Sequence, residues 1–142
     1  MSISKYPAQE AVLLINPKSG CGRGKLLFPY IIEQFQHFGW KLTPKFSERP
    51  KHIYDLVKES IIQKFTHFLV AGGDGSLNEV IQALFKTVGE YDASNYPVGI
   101  IPTGTGNSFL RDFGVTRIEE GIQQIIYGEK YKIDVMRYSV TQ

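Results

Sequence analysis

Residues 67–76 read His67-Phe-Leu-Val-Ala71 followed by Gly72-Gly-Asp-Gly-Ser76, and this junction decides the fold. The first part is a short apolar run, typical of a strand that is buried on both faces in a parallel sheet. After the glycines, apolar residues recur at helical spacing, at Leu77, Val80, Ile81, Leu84 and Phe85. A buried strand that passes through a glycine-rich corner into a helix is the repeating unit of parallel α/β sheets.

The same succession of strand and helix extends in both directions from this junction. Further strands are predicted at 11–15, 40–46 and 97–101, and Pro44 places the second of these at an edge or a bulge. Helices are predicted after Gly24, with Pro29 within about the first turn and Gly39 as the stop, after Pro50, across 108–113 and from Ile118 onward. Residues 89–96 are expected to be a polar connection, and residues 131–140 a final strand-like piece.

These elements predict an α/β fold with an open, mostly parallel sheet, helices on both faces and right-handed crossovers. We expect residues 1–130 to form one domain and residues 131–142 to begin a connection to a further part.

Composition excludes several other classes of protein. The 142 residues are 42% hydrophobic and carry a formal charge of +2, which is too small an excess to indicate a nucleic-acid surface. No apolar run approaches the roughly 20 residues that cross a bilayer, and the first ten residues lack the core of a secretory signal. The single cysteine, Cys21, suits a reducing compartment, so we expect a cytoplasmic protein. The three histidines share no metal-ligand spacing.

Glycines concentrate in three corners, at 16–24, 72–76 and 103–107, and each corner follows a predicted buried strand. The carboxyl ends of parallel strands share one edge of the sheet, so all three corners should open on the same side. Glycine permits close approach to a ligand, and a following helix offers N–H groups to an anion, which favours a polyphosphate cradle. The first corner is not a P-loop, because three residues separate Gly20 from Gly24 and Leu26 replaces the required Ser or Thr. It is not a dinucleotide fingerprint either, because its glycines are spaced by two residues.

Asp74 is the distinctive residue of the second corner. A carboxylate is poorly placed to contact phosphate directly but suits magnesium, its bound water or a hydroxyl that awaits deprotonation. Alternatively, Asp74 or Ser76 only caps the helix. Asn78 and Glu79, expected on the first helical turn, either reach the same crevice or are solvated, and Asn107 in the third corner has a similar capping alternative.

Taken in order, three motifs resemble the catalytic domain of diacylglycerol kinases, a group that includes sphingosine and ceramide kinases and bacterial lipid kinases. They are Asn16-Pro-Lys-Ser-Gly20, Gly72-Gly-Asp-Gly-Ser-Leu-Asn-Glu-Val80 and Pro102-Thr-Gly-Thr-Gly-Asn107. The resemblance runs to about Asp134 and implies the N-terminal domain of the fold shared with NAD kinases. It departs at Ser108, where many relatives carry Asp, and at Ser76, where Thr is commoner.

The resemblance implies phosphorylation of a lipid hydroxyl, of diacylglycerol or sphingoid type, with ATP and Mg²⁺ as cofactors in phospholipid metabolism. Asp74 would assist at the reactive end of an ATP site. The residues that match the family's ATP-binding positions are Asn16, Ser19, Gly20, Ser47, Gly72, Gly73, Asp74, Gly75, Ser76, Leu77, Asn78, Glu79, Thr103, Gly104, Thr105, Gly106 and Asn107.

Relatives also imply a second, β-rich domain that bears the lipid contacts, the magnesium ligands and the main base. This domain would follow Gln142. We therefore assign no metal ligands within this chain, expect it to be inactive alone, and expect its partners to be that domain and a lipid at a membrane surface rather than nucleic acid.

Two other functions fit the same corners: a kinase for NAD or a sugar phosphate on a related fold, and a nucleotide-binding module without turnover. An NAD-dependent dehydrogenase fits less well, because no loop carries the required glycine pattern. The wide apolar face of the helix at 26–38 is interpreted as core or domain interface rather than as a membrane-docking surface.

Overall fold

Four parallel strands form the centre of the structure, a computed structural model that describes residues 9–18, 22–103 and 118–127. Eight elements lie in these ranges: β1 (Gln9–Ile15), α1 (Arg23–Gln36), β2 (Trp40–Phe46), α2 (His52–Ile62), β3 (Phe68–Gly72), α3 (Asp74–Ala93), β4 (Val98–Pro102) and α4 (Ile118–Tyr127). The helix predicted at 108–113 and the strand predicted at 131–140 lie outside the described residues.

The strands are ordered β2-β1-β3-β4, and every pair is parallel. Within the described residues β2 lies at one edge, as Pro44 predicted, because a residue without an N–H is tolerated where one side of the strand has no neighbour. Pro44 pairs there with Leu13 of β1. The predicted α/β class with a parallel sheet is confirmed.

Alternate residues of β1 supply two different cores, which explains why its apolar run is continuous. Ala11, Leu13 and Ile15 face the helices α1 and α4, whereas Val12 and Leu14 face α2 and α3. All five residues are fully buried. Side chains of a strand alternate between the faces of a sheet, so a strand covered on both sides needs apolar residues at every position.

Two glycines bring α4 close to the sheet. A Cβ atom on Gly121 would lie 2.7 Å from Pro102 Cδ, and one on Gly99 would lie 2.9 Å from both Ile125 Cδ1 and Leu69 Cδ2. Neither distance is compatible with an ordinary side chain. The absence of side chains at these two positions therefore fixes how closely α4 packs against β4.

Helices α1 and α3 begin earlier than the sequence predicted. Because α1 starts at Arg23, Pro29 is its seventh residue and lies in the second turn, not at its beginning. Similarly, α3 starts at Asp74 and continues to Ala93, with a break at Gly89 (φ 85°), so the polar connection predicted over 89–96 is largely helical. Gly39 has φ 82° in the turn after α1, as expected for a helix stop.

Most of the apolar stripe of α1 is packed against the core, including Leu27 and Phe28 near its start, but two of its large side chains are exposed. Ile31 and Phe35 are fully buried, whereas Leu26 is 77% exposed and Tyr30 is 37% exposed. In α2 the last residue, Ile62, is likewise 72% exposed, whereas Ile53, Leu56 and Val57 are buried.

Candidate functional site

The candidate site lies at the carboxyl edge of the sheet, between β1 and β3. The helix that follows β1 packs on one face of the sheet, and the helix that follows β3 packs on the other. The two connections therefore leave the sheet in opposite directions and open a crevice between the strand ends. Ligands of open α/β sheets bind at such a switch point. Its two walls are residues 16–18 and 22–24 of the first glycine corner and residues 72–76 of the second.

Asn16 and Ser47 lie on the β1 side of this crevice. Asn16 follows the last residue of β1, and its Oδ1 accepts a hydrogen bond from the Lys18 N–H at 3.0 Å, which folds the corner back on itself. The Ser47 N–H donates to the Ile15 carbonyl at 2.8 Å, and Ser47 is buried. This contact brings the end of β2 beside the end of β1, so the structure places Ser47 next to Asn16, 31 residues earlier in the sequence.

The N-terminus of α1 is held against the same strand ends by glycines. Gly22, at the N-cap, has φ 85°, a left-handed conformation that favours glycine. At Gly24 an added Cβ would lie 3.2 Å from Ile15 Cγ2 and 3.5 Å from the Asn16 carbonyl oxygen. The close packing at Gly24 was not predicted as part of the site, although its place in the series Gly20, Gly22 and Gly24 was a signal for it.

The second corner presents the N-terminus of α3 without a side-chain cap. Gly73 is the N-cap residue, and the Leu77 N–H donates to its carbonyl at 3.1 Å. The N–H groups of Gly75 and Ser76 precede this bond and have no acceptor within the helix. A Cβ on Gly75 would meet no atom within 4 Å. The corner therefore combines backbone donors with open space, an arrangement suited to an anion.

Asp74 is the first residue of α3, so it is not the N-cap, and no side chain caps the helix. The capping alternative for Asp74 and Ser76 is therefore not what the structure shows. A carboxylate in the first turn is favoured by the helix dipole, and Asp74 Oδ1 is shielded from solvent. One carboxylate beside a phosphate site suits Mg²⁺, which is commonly held by one or two carboxylates together with substrate phosphates and water.

Thr103 follows β4 on the far side of the second corner. Its N–H donates to the Gly72 carbonyl at 3.2 Å, and the residue is only 1% exposed. The third corner therefore begins directly beside the second. The four chain ends follow the order of the strands: Ser47, Asn16, the corner at Gly73, and Thr103.

Three of the predicted residues have different surroundings from those expected. Leu77 is buried in the core formed with Val12 and Leu14, and its N–H is used within α3, so the geometry gives it no ligand contact. Asn78 and Glu79 are half-buried and lie in the second turn of α3, because the helix starts at Asp74 rather than at Ser76. Ser19, Gly20, Gly104, Thr105, Gly106 and Asn107 lie outside the described residues.

Across the described ranges, no group of three or more His, Cys, Asp and Glu side chains could hold a metal ion. In the same ranges, no helix is both long enough and apolar enough to span a membrane.

Comparison with known proteins identifies the family. The profile of the diacylglycerol kinase catalytic domain matches residues 10–138. The chain belongs to this family. The resemblance seen in the three glycine corners is thereby confirmed.

Two curated relatives and one solved structure illustrate the similarity of this diacylglycerol kinase domain to known proteins. It is 30% identical to sphingosine kinase B of Dictyostelium discoideum over 87% of the chain and 16% of that protein. It is 28% identical to diacylglycerol kinase of Bacillus subtilis over 89% of the chain and 41% of that protein. The crystal structure of a diacylglycerol kinase from Bacillus anthracis str. Sterne superposes with a TM-score of 0.67 at 25% identity, over 84% of the chain and 42% of that structure. The chain thus spans well under half the length of these relatives.

Proposed function

We propose that this chain is the ATP-binding domain of a lipid kinase that transfers the γ-phosphate of ATP to a lipid hydroxyl. The observation that carries the proposal is the switch-point crevice, where the N-terminus of α3 and Asp74 lie between Asn16 and Thr103. A lipid acceptor, of diacylglycerol or sphingoid type, is supported by the names of the relatives, which are diacylglycerol and sphingosine kinases.

The described residues offer groups that suit the phosphates of a nucleoside triphosphate. The N–H groups of Gly75 and Ser76 would bind phosphate oxygens, and the space above Gly75 would admit them. Arg23 and Lys25, exposed in the first turn of α1 at the same edge, would add positive charge. Phosphoryl transfer depends mainly on positioning and charge neutralisation, which a cradle of backbone donors supplies.

Asp74 would hold Mg²⁺ through its carboxylate or orient the lipid hydroxyl that accepts the phosphate. Bound Mg²⁺ would neutralise charge on the phosphates. We propose that a second domain of the same protein supplies further metal ligands, the lipid contacts and the main base, so that this chain alone would not turn over.

We further propose that the protein works in the cytoplasm and visits the membrane surface to reach its lipid. Leu26 and Tyr30 are one turn apart on α1 and both exposed, and Arg23 and Lys25 are close to them in sequence. Sedimentation of the full-length protein with anionic vesicles tests this, and the L26E variant should bind them more weakly. If the variant and the wild type bind the vesicles equally, this surface of α1 does not contact the membrane.

The activity is tested with the full-length protein, Mg²⁺ and γ-labelled ATP, using diacylglycerol or a sphingoid base in mixed micelles as one set of acceptors. NAD and fructose 6-phosphate form the other set. We expect labelled lipid only, and a decrease of about 10²-fold or more in the D74N variant, because it removes the charge at the reactive end. The control is D55N, which alters an exposed ion pair with Arg49 on α2.

Transfer only to a soluble acceptor would replace the lipid assignment by that of an NAD or sugar-phosphate kinase. Nucleotide binding by the full-length protein without transfer to any acceptor would make it a nucleotide-binding module.

A further inference from the structure

The side chain of Thr103 is a buried polar group for which the described residues offer no partner. Thr103 is 1% exposed, and its Oγ1 has no hydrogen bond in the structure. Its backbone, by contrast, is fixed by the bond from its N–H to the Gly72 carbonyl. The backbone therefore fixes the position of a hydroxyl that makes no hydrogen bond.

An unused buried hydroxyl is unfavourable, because it loses its hydrogen bonds to water and gains none in return. Valine has nearly the same shape without this cost. Buried polar groups in proteins are almost always satisfied by protein, water or ligand. The hydroxyl of Thr103 therefore points to a bound partner that the chain itself does not provide.

The position of Thr103 indicates what the partner is. Pro102 pairs with Gly72 in the register of β3 and β4, so Thr103 is in line with Gly73, the N-cap residue of α3. The N–H groups of Gly75 and Ser76 lie in the first turn after this N-cap and favour a negatively charged partner. Among hydrogen-bond acceptors, a phosphate oxygen combines negative charge with the ability to accept from a hydroxyl.

We propose that the Thr103 hydroxyl donates a hydrogen bond to a phosphate oxygen of the bound nucleotide, and that the nucleotide-free domain carries this hydroxyl unsatisfied. The proposal rests on the proposed function and adds to it a specific role for one side chain. It implies a trade-off between stability and binding at this position, because threonine lowers the stability of the free domain and raises the affinity for nucleotide.

The test compares T103V and T103S with the wild type in the full-length protein, using calorimetric titration with Mg²⁺-ATP and thermal unfolding without nucleotide. Valine retains the branched shape that suits this backbone but removes the donor, and serine retains the donor. We expect T103V to bind Mg²⁺-ATP about tenfold more weakly while its Tm without nucleotide is higher than that of the wild type. T103S should retain most of the affinity. T43V, on the edge strand β2, is the matched control and should leave the affinity unchanged.

Equal affinity of T103V and the wild type would overturn the inference while leaving the proposed function intact. A lower Tm of T103V without nucleotide would also overturn it, because the hydroxyl would then be satisfied within the free protein. If the wild-type full-length protein binds no Mg²⁺-ATP, the proposed nucleotide site fails, and the inference fails with it.

Discussion

Gly75 shows how a single residue leaves space for a ligand in the proposed site. Gly75 has space around it at the start of α3, whereas Gly99 and Gly121 are confined by neighbouring atoms. A glycine in open space at a helix N-terminus has no packing reason to be glycine. The proposed nucleotide site would use the space above Gly75, and alanine substitution separates this role from a packing role.

We expect G75A to keep its stability but lose affinity for nucleotide. Alanine is favoured over glycine in helices, so the free energy of unfolding should be unchanged or up to about 1 kcal/mol higher. The added methyl group would displace the phosphates, and Mg²⁺-ATP should bind about tenfold more weakly or worse. Calorimetric titration measures the affinity, with E90A at the far end of α3 as the control. Unchanged affinity of G75A would show that no ligand occupies this space.

Residue-level prediction from sequence was successful where a residue follows a strand end and less so where a helix begins. Asn16, Asp74 and Thr103 all lie at the predicted edge, because the position of a strand end is determined by the apolar run before it. Leu77 was predicted to contact ATP but is in the core. Its motif position does not reveal which face of α3 it occupies, since that depends on where the helix starts.

At the level of elements, helix starts were the least predictable feature. Both α1 and α3 have a glycine at the N-cap and no side-chain cap, so neither carries the Ser, Thr, Asp or Asn signal on which such a prediction depends. The ends of the strands were predicted to within two residues, because burial on both faces requires continuous apolar runs. The strand order could not be predicted, since it depends on which faces the helices cover.

Pro29 provides a test of the observed start of α1. In the second turn of a helix, proline removes the N–H that would otherwise donate to the carbonyl four residues earlier, that of Lys25. We therefore expect P29A to raise the free energy of unfolding by about 1–2 kcal/mol, since the gain in helix propensity exceeds the loss of rigidity in the unfolded chain. Urea unfolding measures it. A lower or equal stability would indicate that Pro29 lies within the first turn of α1, as the sequence suggested.

The packing of α4 on β4 provides a second test at this scale. G121A and G99A each place a methyl group within 3 Å of neighbouring atoms, so we expect each variant to lose about 1–3 kcal/mol of stability in urea unfolding. G75A is the matched control, because its added methyl group meets nothing in the free protein. If G121A and G75A were equally stable, the close approach of α4 to Pro102 would be wrong.

At the level of the whole molecule, length and composition suggest an independent small domain, whereas the comparison with relatives shows that the chain matches only part of their length. A length of 142 residues and 42% hydrophobic content suit a small independent domain. Yet the chain spans 41% of the Bacillus subtilis diacylglycerol kinase that it matches. The two cores on either side of the sheet account for how it folds, while the exposed Leu26, Tyr30 and Ile62 are candidates for contact with other surfaces.

The near-neutral charge also fits the site at this scale. A net charge of +2 gives no indication of a large basic surface, and in the proposed site phosphate recognition would depend on backbone N–H groups at helix N-termini. Such donors are not visible in composition. They became apparent only when glycine corners and buried strands were considered together.

The central claim is that ATP binds at the carboxyl edge of the sheet, around the crevice between β1 and β3. The most direct measurement is a titration of the ¹⁵N-labelled chain with Mg²⁺-ATP, followed by amide chemical shifts. We predict saturable shifts at Gly72, Gly75 and Thr103, and none at Thr66 and His67, which precede β3 at the opposite edge. Saturating Mg²⁺-ATP without shifts at Gly72, Gly75 and Thr103, or with the larger shifts at Thr66 and His67, would contradict the account.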